Sequence, residues 1–480
     1  MKWMKISLIL CIFGFLKEFR PSEPFVTDYL TGPCKNFTAA QVNQDIYPVG
    51  TYSYLATLVI IFLITDFARY KPVIILCGLS GSVTYLMIIL VQTILEMQFL
   101  EFFYGIFLST EVAYYTYIYA KVDKEHYQEV TGHTRSAFLL GRFLAGTTGQ
   151  LTTSFNLLDY HQLNYITLGA LTFATLWAFF LPSVGQSIYF HQAKLNDVQA
   201  PSCLTFSDAQ SMQDNTQSFI SSQNIPIDVL CRSPSLGLKI KHAYILLWKH
   251  MIEAYTNLTV IKWSLWWAFA TCGYLQVISY TQLIWQDTVA DGDNIYNGAV
   301  EALYTIIGAA TVFGVGKLQL NWPLVGEAML SIFSFIEGIL LLLIACTYNI
   351  WLSYTVYILF GVIYHTIVTV ASFQVVKHLL EDSYGLIFGI NTLIALLLQS
   401  LLTYIVISGS IFELNIRSQY FVYSGYFIVL GIVFMIMSIY TIVKKCQSGQ
   451  DLQLWVRNEN LLSNAKSEIN TKTAQSAVVC

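Results

Sequence analysis

Charge is what this sequence has least of. Of its 480 residues only 11% are Asp, Glu, Lys or Arg, against about 25% in soluble domains, which argues against a water-soluble fold. The formal net charge is −4 and there is no basic patch, so nothing points to a nucleic-acid partner. The nine cysteines are scattered and none forms a CxxC pair, so they read as packing residues. No His/Cys spacing suits a metal; His365 and His378 stand 13 apart as isolated polar residues. No P-loop, G-x-S-x-G or kinase string occurs, which removes the enzyme classes built on them and leaves no cofactor motif.

What is present is apolar. Hydrophobic residues make up 55% of the chain, the composition of an all-α membrane protein embedded in a lipid bilayer. Lys2 and Lys5 precede the apolar run Ile6 to Phe15 in the manner of a signal peptide, but no small-residue cleavage site follows. The stretch is therefore expected to be one helix over about 4–30, polar and proline-marked in its second half. Further spans are expected at about 48–67, 72–94, 97–121, 131–155 and 160–182, then at about 258–287, 294–316, 323–346, 349–376, 383–409 and 416–443. The expected organisation is thus a six-helix half over 1–182, a polar linker over 183–257, a second six-helix half over 258–443, and a disordered tail over 444–480. A short helix is expected inside the linker near 238–252. Twelve spans in two bundles around a central linker is the layout of major facilitator transporters.

Basic residues outside the spans set the expected orientation. Lys2, Lys5, Arg69, Lys71, Lys121, Lys124, the linker's basic residues (Lys194, Arg232, Lys239, Lys241 and Lys249), Lys317, Lys377, Lys444 and Lys445 fall on one side, and Lys35 and Arg417 on the other. The positive-inside rule puts both termini and the linker in the cytosol. Asn36-Phe37-Thr38 is then an external sequon open to glycosylation, while Asn257-Leu258-Thr259 is cytosolic and stays bare. The turn TDFARYKP carries Asp66, Arg69 and Lys71, which are expected to latch the cytosolic helix ends.

The stretch Glu101 to Tyr119, EFFYGIFLSTEVAYYTYIY, combines bilayer-spanning length with two carboxylates and a run of tyrosines. Glu101, Tyr104, Glu111, Tyr115 and Tyr119 share a helical sector of roughly 80°. A charge at membrane depth costs at least about 2.5 kcal/mol, so this face needs a polar cavity or partner helices. Carboxylates framed by electron-rich rings suit a desolvated organic cation. The alternative is an interior seam in which each acid is tied to an Arg or Tyr of a neighbouring helix.

Eight strings in order, RPSEPF, TDFARYKPVI, EFFYG, EVAYY-YIY, EHYQ-V-G, WSLWWAFAT, IYNGAVEA and FGINT, span about Arg20 to Tyr440. Together they resemble the reduced folate carrier and thiamine transporter family, and more closely its thiamine-carrying branch. The resemblance implies a major facilitator fold and carriage of a water-soluble vitamin across the plasma membrane. It implies a pocket of Glu23, Tyr47, Glu101, Tyr104 and Glu301, with Glu101 binding the aminopyrimidine of thiamine; Glu111, Tyr115 and Ser279 complete the candidate set. In the similar folate carriers the position of Glu111 is basic and a lysine stands at Gln399, differences that favour a cation over a folate dianion. Acids within or at the ends of spans (Glu18, Glu23, Asp28, Glu101, Glu111, Glu301, Glu337) also outnumber the bases Lys17, Arg20, Arg135 and Arg142.

Four positions depart from the family pattern: Gly50 and Tyr85 where tryptophan is expected, Ser279 for asparagine and Arg142 for tyrosine. Arg142 is expected either to modulate the pocket by pairing with Glu101 or Glu111, or to serve as the structural partner of an acid on a neighbouring helix. These departures leave pyridoxine or folate as alternative substrates, a transport-deficient relative as another reading, and protons as a candidate coupling ion.

Overall fold

Pro21 and Pro24 shape the start of the chain. The expected single helix over about 4–30 is instead α1 (Lys2–Glu18), a 3-10 turn (Glu23–Phe25) and a short α2 (Val26–Thr31) in the computed structural model. Pro21 has no N–H to continue the ladder, and the Arg20 N–H turns back to Glu18 O at 2.9 Å. The break places Glu18, Arg20 and Glu23 in the protein interior rather than along one helical stripe.

The structure describes residues 2–65, 67–122, 126–184, 236–289, 295–315, 321–379, 384–408 and 414–447. The first half continues with α3 (Ala39–Gln41), a π turn (Val42–Ile46), α4 (Tyr47–Thr65), α5 (Lys71–Leu90), α6 (Ile94–Lys121), α7 (Tyr127–Ser154) and α8 (Tyr160–Ala178). The described part of the expected linker holds α9 (Leu236–Thr256), longer than the short helix the sequence suggests; 185–235, like most of the tail from 448, lies outside the described residues. The second half is α10 (Leu258–Thr288), α11 (Asn297–Val315), α12 (Trp322–Cys346), α13 (Ile350–Val376), α14 (Tyr384–Thr403, prolonged by a π turn at Tyr404–Ser408) and α15 (Ile416–Gln447). The architecture is all-α, two six-helix bundles, and the described residues contain no strand.

Among the described residues six helical spans, on α4, α5 and α12 to α15, are long and apolar enough to cross a membrane by length and composition. By contrast α6 and α7 carry Glu101, Glu111, Arg135 and Arg142; α6 packs within its half on α4 and α5, and α7 packs between α1 of its own half and α11 of the other. Leu79, Phe173, Ile332, Val429 and Ile436 stay exposed on the outside of the bundles, as a lipid-facing belt requires.

Serines and glycines draw the helices of each bundle together. Ser53 Oγ donates to Glu101 O at 3.0 Å, joining α4 to α6, and Ser331 Oγ donates to Gly431 O at 2.8 Å, joining α12 to α15. Between the halves, a Cβ on Gly146 of α7 would sit 2.6 Å from Gly298 O, and one on Gly298 of α11 would sit 2.7 Å from Gly146 O. Only glycine lets these two backbones touch.

At the end remote from Lys2 and Gln447 the halves are joined by amide side chains. Gln282 accepts from Thr27 N and donates to Glu23 O, both at 2.9 Å. Gln286 donates to Asp28 Oδ1 at 2.9 Å and Asn297 to Asp28 Oδ2 at 3.2 Å. Gln150 Nε2 donates to Ile295 O at 2.9 Å. Three of these bonds join neutral groups and two end on the Asp28 carboxyl, and among the described residues no ion pair joins the halves at this end.

Candidate substrate-binding site

The end of α1 and the break after it deliver Lys17, Glu18 and Arg20 into the first half. Lys17 Nζ lies 2.9 Å from Glu18 Oε1 and 2.8 Å from Glu111 Oε1. Arg20 reaches Glu18 Oε2 at 3.2 Å and Glu23 Oε1 at 2.9 Å. Arg142 Nε lies 3.6 Å from Glu18 Oε2. Lys17, Arg20 and Arg142 thus balance Glu18, Glu23 and Glu111, and Phe107 and Phe138 lie against the cations, with Lys17 Nζ 5.3 Å from the Phe107 centroid and Arg142 Cζ 5.9 Å from that of Phe138. Buried charges need such pairing to survive the loss of water.

Arg142 therefore meets neither Glu101 nor Glu111. Its partner is Glu18 on the neighbouring α1, the structural alternative raised from the sequence, with Glu301 and Tyr274 of the second half within electrostatic reach. The face shared by Glu101 and Glu111 is also divided. Glu111 is held by Lys17 and accepts from Tyr115 Oη at 3.1 Å, as an interior seam requires.

Glu101 differs. It is 9% exposed, and no side chain among the described residues bonds to its carboxylate. It extends over Gly50 of α4, where any Cβ would collide with Glu101 Oε2. This accounts for the departure at position 50: the space a larger residue would fill is taken by the acid. Tyr47, Tyr104 and Tyr280 lie within electrostatic reach of the carboxylate. Tyr47 Oη is 2.6 Å from Thr27 Oγ1 and its ring centroid is 6.1 Å from that of Tyr280. Tyr104 donates to Glu23 Oε1 at 3.4 Å, so Glu23, which also holds Arg20, borders the same space.

Across the molecular centre, Glu301 accepts from Tyr357 Oη at 2.9 Å. Behind it stands an aromatic stack that sequence reasoning did not single out. The rings of Tyr274 and Tyr364 are parallel with centroids 3.9 Å apart, and Tyr274 Oη contacts Tyr304 Oη at 2.7 Å and His365 Nε2 at 3.1 Å. His365 is thus not isolated; its partners come from α10 and α11, which sequence separation hides. Ser279, also on α10, spends its hydroxyl on Leu275 O at 2.8 Å, as helical serines commonly do. Tyr85 is 5% exposed.

The peripheral residues fall as follows. Asp66 lies outside the described residues, Arg69 has φ 61°, and Lys71 Nζ donates to Phe179 O at 2.9 Å, tying α5 to the end of α8. Asn36 is exposed in the loop after α2 with φ 56°, whereas Asn257 caps α10 by accepting from Thr259 N at 2.9 Å. Among the described residues no cluster of His, Cys, Asp and Glu is arranged to hold a metal.

Comparison with known proteins bears on this site. The chain is 39% identical over 464 residues to thiamine transporter 1 of Homo sapiens, covering 94% of this chain and 93% of that protein. It is 38% identical over 469 residues to thiamine transporter 2 of Homo sapiens, covering 95% and 94%. The solved structure of the POT family transporter PepTSo superimposes with a TM-score of 0.61 at 13% identity, covering 92% of this chain and 98% of that one, a likeness of fold alone. The family model described as "Reduced folate carrier" matches residues 1–422, and the chain belongs to that family.

Proposed function

We propose that this protein takes up thiamine across the plasma membrane by alternating access, with Glu101 as the counter-charge of the organic cation. The observation that carries this reading is the contrast between Glu101 and the remaining acids of the first half. Glu18, Glu23 and Glu111 are matched by Lys17, Arg20 and Arg142, while Glu101 is buried with no cation paired to it among the described residues. An unpaired buried carboxylate costs several kcal/mol, and a permanently charged thiazolium entering beside it offsets that cost. Tyr47 and Tyr104 add cation–π contact of about 0.5–2 kcal/mol each. Glu23 and Glu301 border the pocket from the two halves, Glu111 and Tyr115 shape its base, Ser279 lines the second half, and Arg142 sets the local field through Glu18.

The same pairing disfavours a folate. A dianion needs free positive charge, and the interior cations Lys17, Arg20 and Arg142 already have acids bound to them. In this reading both termini are cytosolic and the amide gate around Asp28 closes the external side. Uptake of radiolabelled thiamine by cells expressing the chain, at two external pH values and with unlabelled thiamine, pyridoxine or folate as competitors, is the test. Thiamine should compete at the lowest concentration. Uptake no greater than in empty cells, or stronger competition by folate, would reject the reading.

A further inference from the structure

The helix α9 is apolar on two sides. On its inner side Leu247, Met251 and Tyr255 pack against the core and Ala254 is buried. Tyr255 Oη donates to Asn391 Oδ1 of α14 at 2.8 Å, and Asn391 Nδ2 donates to Ser264 Oγ of α10 at 3.1 Å. These bonds fix α9 to the second half, so its outer side has a set direction. That outer side carries Tyr244, Ile245, Trp248 and Ile252, which fall in a helical sector of roughly 100°. Ile245 is 55%, Trp248 60% and Ile252 48% exposed. Lys241 and Lys249 are exposed along the same stripe, one turn before and one turn after Ile245. Glu253 is the one acid of the helix, against Lys239, Lys241 and Lys249.

The helix stands where a membrane span begins. Asn257, with ψ 113°, ends the helical path after Thr256 and caps α10, so α9 and α10 are separate helices. Leu258, the first residue of α10, and Leu265, two turns on, are both exposed and continue the lipid-facing belt. Lys262 of α10 pairs with Glu327 of α12, which also accepts from Thr441 Oγ1 of α15 at 2.6 Å. This end of the bundle is therefore the one that holds Gln447. A contiguous exposed stripe of large apolar side chains is poorly suited to water and marks a contact surface. Its chemistry matches the edge of a lipid leaflet. An indole and two aliphatic side chains enter the acyl boundary, while flanking ammonium groups reach the phosphates.

We propose that α9 is an interfacial helix seated on the leaflet at the Gln447 end, with Ile245, Trp248 and Ile252 at the headgroup–acyl boundary and Lys241 and Lys249 on anionic headgroups. With both termini cytosolic, this leaflet is the one rich in anionic lipid. Through Asn391 the seat holds α10 and α14 of the second half. The lipid contact stands independently of the thiamine reading.

Trp248 is its own reporter. Emission of the wild type minus that of Trp248→Phe, each as the full chain in nanodiscs, isolates this indole. It should lose most of its intensity when the phospholipid carries bromine on acyl carbons near the headgroup, and little with iodide in the water. Should Trp248→Phe fail to fold, Ile252→Trp places an added indole one turn along, with the same quenching expected. Quenching by iodide would put the stripe in water, and protection from both quenchers would put it under another segment of the chain or a second copy. Either result overturns the proposal. The headgroup charge is tested by melting temperature in nanodiscs of phosphatidylcholine alone or with about one third phosphatidylserine. Phosphatidylserine should raise it by several degrees in the wild type and by clearly less in Lys241→Gln/Lys249→Gln. An equal rise in both proteins, or none in the wild type, overturns the assignment of anionic headgroups.

Discussion

The Glu101 carboxylate occupies the space where a side chain at Gly50 would stand, so the two positions on α6 and α4 are one unit of the candidate site. The glycine is what allows the acid its place. Gly50→Ala should displace the carboxylate and weaken thiamine uptake by about tenfold, a change of roughly 1.4 kcal/mol. In a background already carrying Glu101→Gln, the same substitution should cost much less, because the two share one contact. Uptake constants for the four proteins of this cycle measure the coupling, and strict additivity would show that Gly50 acts elsewhere.

Glu101→Gln by itself should leave surface abundance intact, since no side chain among the described residues bonds to its carboxylate. Thiamine uptake should fall by about tenfold to a hundredfold, the loss of a charge-assisted contact of about 1.5–3 kcal/mol. Surface biotinylation beside the uptake assay separates binding from folding. Normal uptake would make Glu101 a packing residue.

Arg142→Tyr restores the residue expected from the family pattern but removes one of the three cations around Glu18. Because Lys17 and Arg20 remain and Arg142 is 29% exposed at its side chain, the cost should be modest, about 1–2 kcal/mol. Surface abundance should drop, with little change in the uptake constant of the protein that arrives. Tighter thiamine binding at full abundance would mean that Arg142 opposes the substrate directly.

Asn36 and Asn257 should behave oppositely as acceptors. Asn36→Gln should raise gel mobility and leave transport in place, since the residue is exposed and bonded to nothing in the core. Asn257→Ala should leave mobility unchanged but lower the melting temperature, because loss of an N-cap costs about 1 kcal/mol. Glycan on Asn257 would reverse the orientation of the whole bundle.

Much of this was legible in the residues themselves. Low charge and long apolar runs determine that the chain is a helical membrane protein, because backbone groups in lipid must be satisfied within the segment. The sector of acids and tyrosines on α6 was also visible, since helical phase depends on local spacing alone. What spacing cannot decide is which acid has a partner. Glu101 and Glu111 share a face and lie ten residues apart, yet Glu111 meets Lys17 and Glu101 meets Gly50. The first outcome depends on a break at Pro21 that turns α1 inward, the second on the register of α4 against α6. Arg142 met Glu18, and His365 met Tyr274, for the same reason: ion pairing and stacking are settled by neighbours distant in sequence. Only the packed bundle brings those neighbours within the few ångströms over which a buried charge is either matched or left bare.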